Sequence, residues 1–252
     1  MRELDRTATP PSPEQPLALE RVAVVGRGRL GSALAPALRA AGFDVPDPTG
    51  RDERPPADAD AVLLCVPDAE IAKVRVDGPL VGHTSGATPL SALPHPGAFG
   101  LHPLQTATGP GTRFDGCGCA IAGATPAALS AARELATRLG MVPFELRDDQ
   151  RAAYHAAASI ASNFLITLEA EAEQLASDAG IEGFDARRML GPLVTTTVAN
   201  WIELGPRRAL TGPVARGDRA TVGRQRAAIE QRRPQLVPLF DALVERTEAL
   251  AT

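Results

Sequence analysis

Residues 21–31 read RVAVVGRGRLG, and the fold follows from how this stretch divides. Arg21–Val25 is a short apolar, β-branched run, as a central parallel strand buried on both faces requires. Gly26-Arg27-Gly28-Arg29-Leu30-Gly31 follows without a gap. Beyond it Leu30, Ala33, Leu34, Ala37, Leu38 and Ala41 recur at spacings of three and four, which places them on one face of a helix that Gly42 ends. Pro36 lies inside that helix, removes a backbone donor and predicts a kink.

A GxGxxG hexamer alone is weak; a buried strand before it and an amphipathic helix after it supply the context that gives it meaning. Gly26 is then expected to permit the tight turn, Gly28 to let a pyrophosphate approach the backbone, and Gly31 to let the helix lie close to the strand. The helix start offers unpaired N–H groups and about half a unit of positive charge. Gly26, Arg27, Gly28, Arg29, Leu30 and Gly31 therefore form the expected dinucleotide loop. The fold class is α/β: an N-terminal Rossmann parallel sheet followed by an all-α C-terminal domain.

Outward from the loop, Ala61–Val66 (AVLLCV) is a second buried strand, stopped by Pro67. Shorter strands are expected at Leu80–His83, Ala98–Leu101, Ala120–Ile121 and Val142–Leu146, and a helix at Pro126–Leu139. Strands alternating with helices imply a parallel sheet with right-handed crossovers. The texture changes near Asp148. Arg151–Ala179 runs without Gly or Pro, and helical segments follow at Asp185–Leu204, Asp218–Arg232 and Gln235–Leu250. The expected organisation is a disordered, Pro-containing tail at 1–18, a dinucleotide-binding domain at 19–148 and a helical domain at 149–252.

The 252 residues carry a net charge of −4 with 44% hydrophobic and 22% charged residues, the balance of a packed domain without the basic footprint of a nucleic-acid binder. No apolar run approaches the ~20 residues of a membrane span, and the opening residues lack an apolar signal-peptide core. Cys65, Cys117 and Cys119 make no disulfide framework, and a reduced cytoplasmic setting without a metal is expected. Cys117 and Cys119, two apart on one strand face, read as small buried residues.

An NAD-selective site puts an acid about 20 residues past the loop. Asp47 has that count but lies between Pro46 and Pro48. Counted from Gly42, the strand end falls at Thr49–Arg51, which holds no acid and one Arg. Arg51, with Arg27 and Arg29 nearby, suits a 2′-phosphate. NADP is the expected cofactor and NAD the alternative. Val66 and Pro67 after one strand, and Ser85 and Gly86 after another, are expected to touch it.

Hydride chemistry needs a proton donor or acceptor. On an ideal helix His155, Ser159, Ser162 and Asn163 share one face within an Ala-rich stretch. If buried without partners, each would cost about 1–3 kcal/mol, so a substrate and a nicotinamide are the expected partners. His155 is the first choice for the acid/base group, with Asn163 and Ser162 orienting substrate. His102, in a loop just after a strand and facing the cofactor, is the second. Arg216 is a candidate for a substrate carboxylate, and Asp218 for a helix N-cap. His83 and His95 read as structural. Lys73, the sole lysine, reads as a solvated surface residue.

Five strings resemble one group: Val66-Pro67-Asp68; His83-Thr84-Ser85-Gly86-Ala87; Leu101 to Thr106 (LHPLQT); Tyr154 to Ala158 (YHAAA) with Ala161-Ser162-Asn163; and Leu210 to Asp218 (LTGPVARGD). The group is the bacterial Rossmann-like oxidoreductases whose C-terminal half is called domain of unknown function 2520, and the resemblance runs from about Arg21 to Leu243. More distantly the layout is similar to ketopantoate reductases, pyrroline-carboxylate reductases and β-hydroxyacid dehydrogenases, which often dimerise through the helical domain. The resemblance implies an NAD(P)-dependent oxidoreductase acting on a small molecule, and a homodimer. Two departures stand out. Val45–Arg51 contains prolines where relatives have a clean strand. Ser159 stands where hydroxyacid dehydrogenases and ketopantoate reductases carry a Lys four residues before an Asn, here Asn163. The expectation is a reductase of a small carbonyl or imine compound with His155 as acid/base. The alternatives are hydride transfer between NADP and a deazaflavin, and a non-catalytic NADP-binding sensor.

Overall fold

The computed structural model describes residues 19–50, 53–181 and 183–252; the expected tail at 1–18 and Arg51 lie outside the described residues. The chain forms two compact units, one ending at Ser162 and one spanning Asn163–Thr252.

Among the described residues of the first unit six strands lie side by side in chain order: β1 (Val22–Val25), β2 (Ala61–Leu64), β3 (Leu80–His83), β4 (Ala98–Pro103), β5 (Gly118–Gly123) and β6 (Val142–Glu145). The first four run parallel, β5 runs antiparallel to β4, and β6 is parallel to β5. The sheet is therefore mixed and not wholly parallel as expected. A parallel crossover needs a covering segment, usually a helix. The link Leu104–Cys117 carries Gly109, Pro110, Gly111 and Gly116 and forms no helix, so the chain turns back beside β4.

The doubtful segment before Arg51 belongs to the sheet. Along the outer side of β1, Val22 N–H donates to Asp44 O, Thr49 N–H to Val24 O and Gly26 N–H to Thr49 O, each at 2.9 Å. Pro46 and Pro48 donate nothing, which an edge position tolerates. The pairing survives as isolated parallel bridges, Arg21 to Asp44 and Val25 to Thr49.

Strand residues alternate between two buried layers, as the period of two demands. Val22, Val24, Leu63, Leu101 and Ile121 pack with α1 (Arg29–Ala40) and α3 (Pro126–Arg138). Ala23, Val25, Val62, Leu64 and Val81 pack on the other face with Leu93 and with Ile71 of the short α2 (Asp68–Ile71). Burial of each large apolar side chain contributes about 1.5–3 kcal/mol. Helix α1 continues through Pro36, which is exposed, so the missing N–H falls where water can serve the freed carbonyl. Thr125 caps α3, its Oγ1 accepting the Ala128 N–H at 3.1 Å.

The expected single long helix from Arg151 is interrupted. It divides into α4 (Arg151–Ser159), one turn of π-helix at Ile160–Phe164, and α5 (Leu165–Asp178). The second unit adds α6 (Gly183–Leu204), α7 (Pro206–Ala209), α8 (Arg219–Arg232) and α9 (Val237–Ala251). Its helices are laced by Arg187–Glu173, Arg233–Asp178 and Arg226–Asp241 pairs. Asp218 caps α8, accepting the Thr221 N–H at 3.0 Å.

Candidate functional site

The loop between β1 and α1 is built as its glycines suggest. Gly26 has φ +117°, and a Cβ there would lie 2.2 Å from the Cys65 carbonyl oxygen. A Cβ on Gly31 would lie 2.0 Å from the Gly26 carbonyl oxygen, so helix and turn pack backbone to backbone. Gly28 differs: among the described residues a Cβ there would meet nothing within 4 Å. The first helical bond runs from Ser32 N–H to Gly28 O, which leaves the preceding amides of the helix start without intrahelical acceptors. A bare backbone approach at Gly28, beside those amides, is the feature that fits a diphosphate. The loop opens on a cleft of about 670 Å³ lined by Arg27, Gly28, Glu53, Cys65, Val66 and Pro67, among others. Lys73 also borders the cleft; it is exposed and paired with Glu70. Burial pushes the Cys65 thiol up to about 12, so it stays protonated.

A second cluster lies at the carboxyl end of the sheet. His102 is inside β4, not in a loop after it, because the strand continues to Pro103 by pairing with β5. Its Nδ1 stands 2.6 Å from the Tyr154 hydroxyl, and its ring is edge-on to Tyr154 at 5.5 Å and 6.5 Å from the ring of His155. Gly86 makes room for it: a Cβ on Gly86 would fall 2.8 Å from His102 Cε1. Burial, and then the neighbouring His155 and Arg151, pushes His102 down to about 4, so the ring is neutral at ordinary pH. Tyr154 is pushed up to about 12, chiefly by burial.

His83, at the end of β3, is fully buried. Its Nδ1 accepts the Ser85 N–H at 3.2 Å, which leaves the hydrogen of the neutral ring on Nε2, where no partner lies among the described residues. Burial and then Arg151 hold it down at about 4. Ser85 is buried, and its Oγ accepts the N–H groups of Ala87 and Thr88 in a local turn. His95 Nδ1 likewise accepts the Gly97 N–H of its own loop.

Arg151 sets this cluster. It is 3% exposed, donates from Nε to Asp148 Oδ1 at 2.8 Å, and reaches the Ser85 carbonyl at 3.4 Å. Asp148 also accepts the N–H groups of Leu90 and Ser91, tying the loop after β3 to the start of α4. Burial works against its charged form, but the Leu90, Arg151 and Ser91 bonds outweigh it and hold the carboxyl below the usual range. Tyr154, Arg151 and Asp148 are absent from the sequence candidates. Tyr154 did leave a signal, being the only tyrosine and adjacent to His155.

The expected buried polar face is corrected. His155 and Asn163 are exposed and Ser159 and Ser162 half-exposed, with no side-chain hydrogen bonds among the described residues. The π turn inserts the equivalent of one residue, on the order of 100° of helical rotation, so the positions on either side of it no longer share one ideal face. Arg216 is exposed in the turn before α8. Cys119 is buried and Cys117 half-buried. Among the described residues no group of three His, Cys, Asp or Glu could hold a metal ion, and no helix is long and apolar enough to cross a membrane.

A mixed sheet with a glycine-rich loop between its first strand and first helix, followed by a helical unit, defines the class as Rossmann-like α/β proteins. The chain belongs to the family described as domain of unknown function (DUF2520), whose model matches residues 117–247. It is similar to a Bacteroides fragilis protein provisionally described as an NADP oxidoreductase, with TM-score 0.77 and 21% identity over 91% of this chain and 98% of that one. It is also similar to protein TM1727 of Thermotoga maritima, with TM-score 0.71 and 20% identity over 91% and 98%. Pyrroline carboxylate reductase of Plasmodium falciparum, solved with NADP bound, gives TM-score 0.60 and 10% identity over 93% and 99%. Identities this low establish a shared fold. No curated protein matches the chain.

Proposed function

We propose that the chain is an NAD(P)-dependent oxidoreductase that reduces a small carbonyl or imine compound, with NADP as cofactor and NAD as the alternative. The observation that carries the reading is the open backbone at Gly28, set at the mouth of a cleft and at the start of a helix. The fold is shared with a pyrroline carboxylate reductase that binds NADP, which supports the same reading.

Gly26 to Gly31 would hold the diphosphate, and Val66, Pro67, Ser85 and Gly86 would flank the rest of the cofactor. When bound, the nicotinamide supplies or takes a hydride; the chain's part is the proton. His155 is the acid/base group of this reading. It is exposed and lacks a hydrogen-bond partner among the described residues, and it stands beside a half-buried, neutral His102 held to Tyr154. His102 and Tyr154 position that end of the site, and Ser159, Ser162, Asn163 and Arg216 are proposed to orient substrate. A homodimer through the helical unit belongs to the same proposal, supported by the exposed Met189, Leu193, Trp201 and Ile202 of α6, and sedimentation of the purified chain tests it.

The deciding experiment follows NADPH oxidation against pooled keto acids, aldehydes, imines and a deazaflavin, with calorimetry of the cofactor alongside. His155→Ala is expected to leave cofactor binding intact and to lower turnover by about 10²–10⁴. Turnover on the deazaflavin alone would replace the substrate class. Tight binding with no turnover on any compound would make the chain a sensor, and no heat from either nicotinamide would remove the reading altogether.

A further inference from the structure

The tip of the segment paired to β1 carries a feature that the glycine motif does not contain. Thr49 is bonded to Gly26, so the chain leaves the sheet beside the phosphate loop. This is the place where a dinucleotide's ribose hydroxyls are read in this fold. Here Arg27 folds back from the loop. Its Nε donates to the Pro48 carbonyl at 2.8 Å and its Nη2 to Glu53 Oε2. The Gly50 N–H donates to the same Glu53 oxygen at 3.0 Å. Gly50 suits this arrangement because a Cβ there would crowd Arg27 Nη1 at 3.2 Å. A guanidinium and a backbone amide thus converge on one anionic oxygen, the donor set that a phosphate monoester takes elsewhere. Arg27, Gly28, Gly50 and Glu53 all line the same cleft. The Gly50 N–H, opposed by desolvation and aided by Arg27, holds the Glu53 carboxyl below the usual range, so it is an anion at neutral pH.

We infer that Glu53 limits the preference for NADP over NAD by competing, on Arg27 and Gly50, for the seat that a 2′-phosphate needs. This rests on the dinucleotide reading above. A plain 2′-hydroxyl is compatible with the seated carboxylate, to which it can donate a hydrogen bond. A 2′-phosphate is not compatible: two anions cannot share one guanidinium and one amide, so Glu53 must swing out before Arg27 is released to the phosphate. Arg27 then serves both cofactors' loop as a scaffold, through its bond to Pro48, and the phosphorylated one as a direct partner.

The test is calorimetric titration of wild type, Glu53→Gln and Arg27→Ala with NADPH and NADH, with thermal melting as a check on folding. Glu53 is about half exposed, so its variant is expected to fold as wild type does. Glu53→Gln is expected to bind NADPH about tenfold more tightly and NADH about threefold more weakly, because one anionic competitor and one charged acceptor are lost together. Adding Arg27→Ala to Glu53→Gln should abolish the NADPH gain. Equal changes for both nucleotides, or none, would overturn the inference while leaving the dinucleotide reading intact. No heat from either nucleotide with wild type would overturn that reading, and the inference with it.

Discussion

The Gly26–Gly31 loop and the His155–Asn163 stretch are both short, both rich in small residues and both singled out by pattern, yet the fold treats them in opposite ways. In the loop, the constraints are local and steric. Gly26 and Gly31 are closed against backbone within 2.2 Å of where a side chain would start, and Gly28 alone is open. In the helical stretch no such constraint exists: the polar groups stand exposed or half-exposed, and a π turn displaces their register. A backbone-built site is written in residue type and spacing. A side-chain-built site is written in contacts between residues far apart in the chain.

The sharpest way to break this contrast is to place a methyl group at each glycine. Gly26→Ala combines a strained φ with a contact that backbone cannot relieve, and should lower stability by about 4 kcal/mol or more while abolishing dinucleotide binding. Gly28→Ala should keep stability within about 1 kcal/mol of wild type and, on the proposed function, weaken NADPH by more than about tenfold, because the methyl would stand where the diphosphate is proposed to approach. Urea unfolding and calorimetry on the two variants separate the effects. Loss of stability at Gly28, or unchanged binding there, would mean that its open space is not a ligand's.

The histidine cluster offers the next largest effect, as a pH dependence that the loop lacks. His83 and His102 titrate near 4 in the fold against about 6.5 in the unfolded chain. Between those values the unfolded state binds more protons, so stability is full above about 6.5 and falls as pH drops toward 4. The expected loss is on the order of 2–3 kcal/mol for each ring. Asp148, whose carboxyl is held low, adds a loss only below about 3.8, as its folded-state value is crossed. Denaturant titrations at pH 7, 5.5 and 4.5 measure the slope, and His102→Gln should flatten it. A wild-type profile level from 7 to 4.5 would mean that both rings are reached by water.

Particular residues show what was legible in sequence. The strand-loop-helix unit from Val22 to Ala40 was, because apolar runs and glycines act on their own neighbours. The Asp44–Thr49 edge was half legible: its prolines argued against a strand, yet its ends pair with β1, since an edge requires donors on one side only. The antiparallel β5 was hidden because direction depends on what the Leu104–Cys117 link lacks. Arg151 was hidden more deeply. An arginine opening a helix reads as solvated, and only Asp148 together with the Ser85 carbonyl, 66 positions away, makes its burial tolerable. Tyr154 and His102, 52 positions apart, meet for the same reason.

The smallest expected effect bears on that last pair. Tyr154→Phe removes one hydroxyl and keeps the ring packed near Phe144, at 5.9 Å, and His102. It leaves His102 Nδ1 without its partner in a half-buried place, which costs about 1 kcal/mol of stability. If the pair positions the proposed proton-handling end of the site, NADPH affinity should stay unchanged, kcat should fall about tenfold, and the chemical shift of the His102 ring should move. If the hydroxyl merely completes packing, the stability change should come alone. The loop variants lose binding first and this one loses turnover first, so the two regions would then be separable by experiment as they are by the origin of their constraints.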